Sequence, residues 1–168
     1  MALRYPTRSP ALLCALATPF LYAAVNLIAI QIAAHPTGRN PWYDVPWNYV
    51  LLNELDSEIA SARSVALGYT LVLTVEAALI ALRVRQRRRF ADNEVPPTGG
   101  LFSLMYLLTL AVATVLNPVG PIWRGNDNHD LAVLCPAWYM PALIGIALVA
   151  LIGLTVWLTA AIRDVPAS

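Results

Sequence analysis

Four long apolar stretches, separated by polar segments, divide the chain. The stretches cover residues 11–34, 60–83, 99–117 and 137–162, and the segments between them are 35–58, 84–98 and 118–136. A helix needs about 20 residues at ~1.5 Å each to cross a hydrocarbon core of about 30 Å. Lipid tolerates neither open sheet edges nor irregular backbone, which favours helices. The pattern therefore predicts an all-α integral membrane protein, in which four transmembrane helices form an antiparallel, up-down bundle and one membrane domain.

The composition excludes a water-soluble globular domain and narrows the chemistry. Of the 168 residues, 58% are hydrophobic and 12% are charged, whereas soluble domains carry about 25% charged residues. The eleven basic residues are all arginine, which excludes a lysine Schiff base and a Walker-type phosphate lysine. The sequence contains no nucleophile–base pair, paired carboxylates or glycine-rich phosphate loop. We therefore expect a protein that is not an enzyme and uses no cofactor.

The arginines are distributed unequally between the two sides of the predicted bundle. Eight of the eleven, including Arg4, Arg8 and Arg163, fall on the same side. Because such an excess marks the cytoplasmic side, both termini are predicted to be cytoplasmic. The exclusive use of arginine favours a GC-rich bacterial genome, and hence a multi-pass protein of the bacterial cytoplasmic membrane. A eukaryotic organelle protein is the alternative.

Aromatic residues concentrate in the loops that this orientation places outside, where such rings prefer the headgroup region. Trp42 and Trp47, both in the first outer loop, are candidate contacts for lipid or for a partner protein. Residues 47–55 are apolar enough to form a short helix lying flat on the outer leaflet. Asp56 or Ser57 would then cap the second span.

A run of arginines follows the second span directly. It consists of Arg83, Arg85, Arg87, Arg88 and Arg89. Arginines beside a span attract anionic headgroups by about 1 kcal/mol each, so we expect anionic lipid headgroups as partners at the cytoplasmic face. An acidic cytoplasmic protein is the alternative partner. The position beside a span argues against nucleic-acid binding.

Glu76 is the acidic residue that falls inside a predicted span. A carboxylate at mid-membrane costs ~2.5–3.5 kcal/mol on insertion scales, so it is neutral, paired or functional. Tyr69 and Arg83 share its helical face. Four residues of the other spans are predicted to lie at the same membrane depth as Glu76, about 10 Å from the boundary that the arginines mark. These residues are Thr18, Pro19, Tyr106 and Thr155. We take Glu76, Tyr69, Tyr106 and Thr155 as a candidate polar site, which either handles a proton or cation or locks helix packing.

Pro19 lies in the middle of the first span. Because proline has no N–H group, it removes one helical hydrogen bond and frees a carbonyl near Ala15. Pro19, Tyr22 and Asn26 form one stripe, which either lines a substrate path or, as we favour, joins helices by hydrogen bonds. Asn26 falls on the outer half of the span, which makes it a poor partner for Glu76.

The cysteines and histidines match no established site. Cys14 and Cys135 fall near opposite faces of the membrane, too far apart for a disulfide. Each is expected to be a small buried hydrophobe. His35 and His129 are both in outer loops, and a metal site would form only if those loops meet. We expect no metal.

These observations favour a non-catalytic accessory or assembly subunit of a larger membrane protein complex. Such a subunit would pack through its helices and aromatic outer loops against other integral membrane subunits. The alternative is a small transporter or channel component that uses Glu76 as a proton or cation coupling group. Transport usually needs several intramembrane polar residues or broken helices, whereas this chain supplies one acid, Pro19 and a few hydroxyls.

Overall fold

The structure, a computed structural model, contains four long helices and no strand in the residues that it describes. The structure describes residues 9–35, 52–89, 98–119, 131 and 134–163. Side chains are described for residues 9–35, 56–86, 100–119, 131 and 134–160. The helices are α1 (Pro10–Ala33), α2 (Leu52–Arg89), α3 (Thr98–Val115) and α4 (Tyr139–Arg163). The predicted all-α fold is therefore confirmed.

Three of these helices are long and apolar enough to cross a membrane. They are α1, the part of α2 from Asp56 to Gln86, and the part of α4 from Tyr139 to Ala160, with 24, 31 and 22 residues. The apolar part of α3, Gly100–Val115, is shorter. By length and composition, the chain is a multi-pass membrane protein.

The second helix extends beyond the predicted span at both ends. Residues 52–58 and 84–89 are helical, although they were assigned to the flanking loops. The arginine run therefore continues the helix instead of ending it. The reason is local, because arginine is a good helix former and no proline occurs between residues 52 and 89. The 38 residues of α2 reach about 57 Å, well beyond a hydrocarbon core.

The predicted helix start at Asp56 or Ser57 is wrong. The helix begins at Leu52 and passes through both residues without a break. Residues 52–55, which we expected in a separate helix on the outer leaflet, are consequently the first turn of α2. Residues 47–51 lie outside the described part of the chain.

The four helices pack as a ring around a filled centre. Helix α1 lies against α2 and α4, and α3 also lies against α2 and α4, with the broadest interface between α1 and α4. Fully buried side chains occupy the middle, among them Tyr22, Leu73, Tyr106, Leu110, Leu143 and Leu154. Since lipid is as apolar as these side chains, close packing rather than expulsion of water holds such a bundle together.

The closest approach of α1 and α4 depends on Gly153. A Cβ atom at this position would lie 2.6 Å from the carbonyl oxygen of Ala11 and 3.1 Å from the Cβ of Ala15. No side chain fits there without moving one helix, because the nearest atom belongs to the backbone. A Cβ atom at Gly145, two turns earlier on α4, would meet no atom of the described residues within 4 Å.

Candidate intramembrane polar site

Glu76 lies half-buried between α2 and α3, where one of its oxygens is bonded and the other is not. The Thr109 hydroxyl donates a hydrogen bond of 2.9 Å to Glu76 Oε1. Glu76 Oε2 is buried and has no hydrogen-bond partner among the described residues. The Tyr106 hydroxyl, one turn from Thr109 on α3, is close enough to interact electrostatically with the carboxyl group. The site thus offers one satisfied and one unsatisfied carboxyl oxygen in an apolar surrounding.

No basic side chain on the neighbouring helices faces Glu76. Helices α1 and α3 contain no charged residue, and α4 contains only Arg163 at its end. On α2 itself, Arg83 is seven residues away, or about 10 Å along the axis. Its guanidinium lies 5.6 Å from the centre of the Phe102 ring and donates to the Gln86 side chain at 3.5 Å. The carboxyl group therefore has no nearby counter-ion among the described residues.

A second polar group, the Pro19 cluster, joins α1 to α3 through Ala15, Thr18 and Tyr106. The Ala15 carbonyl, which Pro19 leaves without its helical donor, accepts hydrogen bonds from Thr18 Oγ1 at 2.8 Å and from the Tyr106 hydroxyl at 2.9 Å. The two hydroxyls also contact each other. The predicted free carbonyl is thereby confirmed. With one proton on each hydroxyl, every arrangement of donors still gives Ala15 at least one bond.

This redundancy predicts that Thr18→Val and Tyr106→Phe are costlier together than separately. Each single variant leaves one hydroxyl that can donate to the Ala15 carbonyl, so the loss in the free energy of unfolding is about 0.6 kcal/mol. The double variant leaves a buried carbonyl without a donor, which adds about 1–3 kcal/mol. The measurement is the free energy of unfolding of all four proteins in a double-mutant cycle.

Restoring the missing backbone donor provides the control for this cycle. In a Pro19→Ala background, the amide of residue 19 bonds Ala15 and the excess cost of the double variant should disappear. Simple additivity in both backgrounds would contradict the assigned role of the two hydroxyls.

A third polar group, the asparagine cluster, joins α1, α4 and the end of α3 through Asn26, Asn117 and Tyr139. The Tyr139 hydroxyl donates to Asn26 Oδ1 at 2.7 Å and, more weakly, to Asn117 Oδ1 at 3.5 Å. Asn26 Nδ2 in turn donates to the Tyr22 carbonyl at 2.8 Å. Asn26 thus serves helix packing, which is the role that we favoured for its stripe.

Tyr22 on α1 contacts both α3 and α2. Its hydroxyl donates to the Ala113 carbonyl at 3.1 Å. This carbonyl belongs to the last turn of α3, where helical donors run out. The Tyr22 ring meets the Tyr69 ring edge to face, with centroids 6.4 Å apart. The buried polar side chains of α1 therefore form hydrogen bonds with groups on α3 and α4.

The structure brings together part of the predicted polar site. Glu76 on α2 contacts α3 through Thr109, and the Tyr106 hydroxyl on α3 is close enough to interact with it electrostatically. The Tyr69 ring instead packs against the Tyr22 ring. Thr155 is exposed on the outer surface of α4, where its carbonyl accepts from Thr159 at 2.9 Å. Thr109, which the sequence analysis missed, is the side chain that bonds Glu76. Its signal was its position one turn after Tyr106 on the same helix face.

The candidate lipid contacts are described only in part. Arg83 and Arg85 are exposed on α2. The backbone of Arg87, Arg88 and Arg89 is helical, but their side chains lie outside the described residues, as do Trp42 and Trp47 entirely.

The two cysteines are not joined in a disulfide, as predicted. The expected burial of Cys14 is wrong, since this side chain is exposed on α1. His35 Nε2 accepts a 2.9 Å hydrogen bond from Gln31 Nε2. His129 lies outside the described residues, so the structure does not test a contact between the two histidines.

Comparison of the chain with family models, with curated proteins and with solved structures finds no match.

Proposed function

We propose that the protein is a non-catalytic accessory or assembly subunit of a larger membrane protein complex. The observation that supports this proposal is the filled centre of the bundle. Tyr22, Tyr106 and Leu110 are fully buried there, and the hydroxyls of the Pro19 and asparagine clusters bond to groups of the same chain. Because the centre is occupied by the chain's own side chains, the outer faces of the helices are the surfaces left for interactions.

The proposal includes four spans with both termini in the cytoplasm. The order of contacts between α1 and α2 supports an up-down arrangement. The Tyr22 ring contacts the Tyr69 ring, and Gln31, later on α1, accepts a hydrogen bond from Arg63, earlier on α2. The distribution of arginines supports the orientation. The 18 residues of α3 reach about 27 Å, close to the thickness of the hydrocarbon core.

Photo-crosslinking in native membranes tests the proposal and locates the partner. Each helix has several strongly exposed apolar positions, of which we choose one each, namely Phe20, Leu71, Leu108 and Ile152 at 69%, 66%, 64% and 61% exposure. A photoreactive phenylalanine analogue at each position should give adducts with one recurring membrane protein from at least one face. The fully buried Leu73 is the matched control that should give none. Lipid adducts alone from all four positions would contradict the subunit role.

The anionic lipid partners are part of the same proposal. We expect Arg83→Gln and Arg85→Gln to weaken retention of anionic phospholipid by about fivefold each, the equivalent of about 1 kcal/mol per arginine. Native mass spectrometry of the purified protein with graded phosphatidylglycerol measures this effect. Arg63→Gln, near the other end of α2, is the charge-matched control and should leave retention unchanged. An equal loss in all three variants would indicate a general charge effect instead of a site.

A second candidate function, a small transporter or channel component, is favoured by Glu76. An unpartnered carboxyl oxygen within a span is the kind of group that couples proton or cation movement. In proteoliposomes, Glu76→Gln would then abolish proton-coupled flux without affecting assembly. Unchanged flux in Glu76→Gln, together with failed assembly in Glu76→Leu, would assign the residue to packing.

A further inference from the structure

The environment of Glu76 Oε2 restricts what this oxygen can bind. The atom is closed to solvent and has no hydrogen-bond donor within reach in the part of the chain that the structure describes, although the residue as a whole is only half-buried. A water molecule, an ammonium group or a donor from another protein would each need access to the oxygen. A covalently held proton needs no such space.

A metal ion is a poor fit for the same position. Metal ions in proteins are held by several ligands at once, and the described residues contain no group of three His, Cys, Asp or Glu side chains that could hold one. Thr109 Oγ1 already donates its hydrogen to the other oxygen of Glu76. The ligand that these surroundings favour is a proton.

The lack of charged groups on the helices around Glu76 also favours a bound proton. From α3 it is faced by the hydroxyls of Thr109 and Tyr106, and its own helix carries Tyr69 two turns away. Helix α1 contributes uncharged residues only, and α4 has no charged residue before Arg163. Burying an isolated carboxylate in an apolar medium costs far more free energy than burying a neutral carboxylic acid, so the neutral form is favoured there.

We infer that Glu76 is an intramembrane proton-binding site, in which Oε2 carries the proton and Oε1 is the carbonyl oxygen that Thr109 positions. The inference names a ligand for this residue and does not depend on the subunit role, since it holds for an isolated bundle as well as for a complex. Release of the proton would leave a carboxylate with a single hydrogen bond, so release requires water or a base to reach Oε2.

Infrared difference spectroscopy of the full chain in lipid bilayers tests this inference directly. A neutral carboxylic acid has a carbonyl stretch that a carboxylate lacks. The spectrum of the wild-type protein minus that of Glu76→Gln at neutral pH should contain this stretch. Its loss, with carboxylate bands in its place, would overturn the inference. Selective isotope labelling of glutamate in the unaltered protein gives the same information if Glu76→Gln fails to fold, because it shifts the band of the acid without any substitution.

Thr109→Val provides the test of the arrangement of the two oxygens. Removal of the hydroxyl takes the hydrogen bond from the carbonyl oxygen, so the carbonyl stretch should move to higher frequency while its intensity is kept. A stretch that stays in place would show that Thr109 does not bond the carbonyl oxygen, and would overturn the assignment of the proton to Oε2. Both results are independent of whether a partner protein is found.

Discussion

Replacement of Gly153 by alanine is expected to lower the free energy of unfolding by about 2 kcal/mol, as in other overpacked cores. The added Cβ atom would lie 2.6 Å from the backbone oxygen of Ala11, which cannot rotate away as a side chain could. Helices α1 and α4 would have to separate along their broad interface. Titration of the purified protein in mixed micelles with a denaturing detergent measures the change.

Gly145→Ala is the matched control for this substitution. It adds the same methyl group to the same helix, where no atom of the described residues lies within 4 Å. Both variants gain the same intrinsic helix propensity, about 1 kcal/mol relative to glycine, so the difference between them reports packing alone. Equal stabilities of the two variants would contradict the close approach of α1 and α4.

Replacement of Tyr22 by alanine is expected to cost about 3 kcal/mol, the lower end of the range for aromatic side chains in soluble cores. The side chain is fully buried and contacts both Tyr69 and the Ala113 carbonyl. The lower end applies because the unfolded chain keeps this ring in lipid rather than in water, so the loss is mainly one of packing. Detergent unfolding again supplies the measurement.

Two further variants separate the contributions to this effect. Phe20→Ala removes an aromatic ring that is 69% exposed on the same helix and should change stability little. Tyr22→Phe removes only the hydroxyl, at a cost of about 0.6 kcal/mol. A Phe20→Ala protein as unstable as Tyr22→Ala would mean that α1 is rotated relative to the arrangement described.

The features that follow from covalent structure could be predicted from the sequence. Pro19 has no amide hydrogen wherever its helix packs, so the free carbonyl of Ala15 was predictable, and it is found bonded to Thr18 and Tyr106. The positions of three long apolar helices were predictable because membrane thickness sets their length. The extension of α2 to Leu52 was not predicted, because the apolar residues 47–55 were interpreted as a separate helix on the outer leaflet.

The rotation of each helix about its axis could not be predicted, which is why the partner of Glu76 was missed. In a soluble helix the apolar face marks the core. Here lipid and core are equally apolar, so Cys14 on the outside and Ala15 in the centre look alike in sequence. Depth along the span was the only available guide. It placed Glu76 near Tyr106 but could not select Thr109, one turn away.

The most direct test of the subunit proposal is the mass of the native particle. The tagged protein, expressed at its natural level, would be extracted into lipid nanodiscs without detergent and analysed by mass measurement and peptide identification. The account predicts a particle in which the 18.3 kDa chain is present in fixed ratio with at least one other integral membrane protein. A particle that contains only this chain and lipid, as a monomer or as copies of itself, would contradict the account.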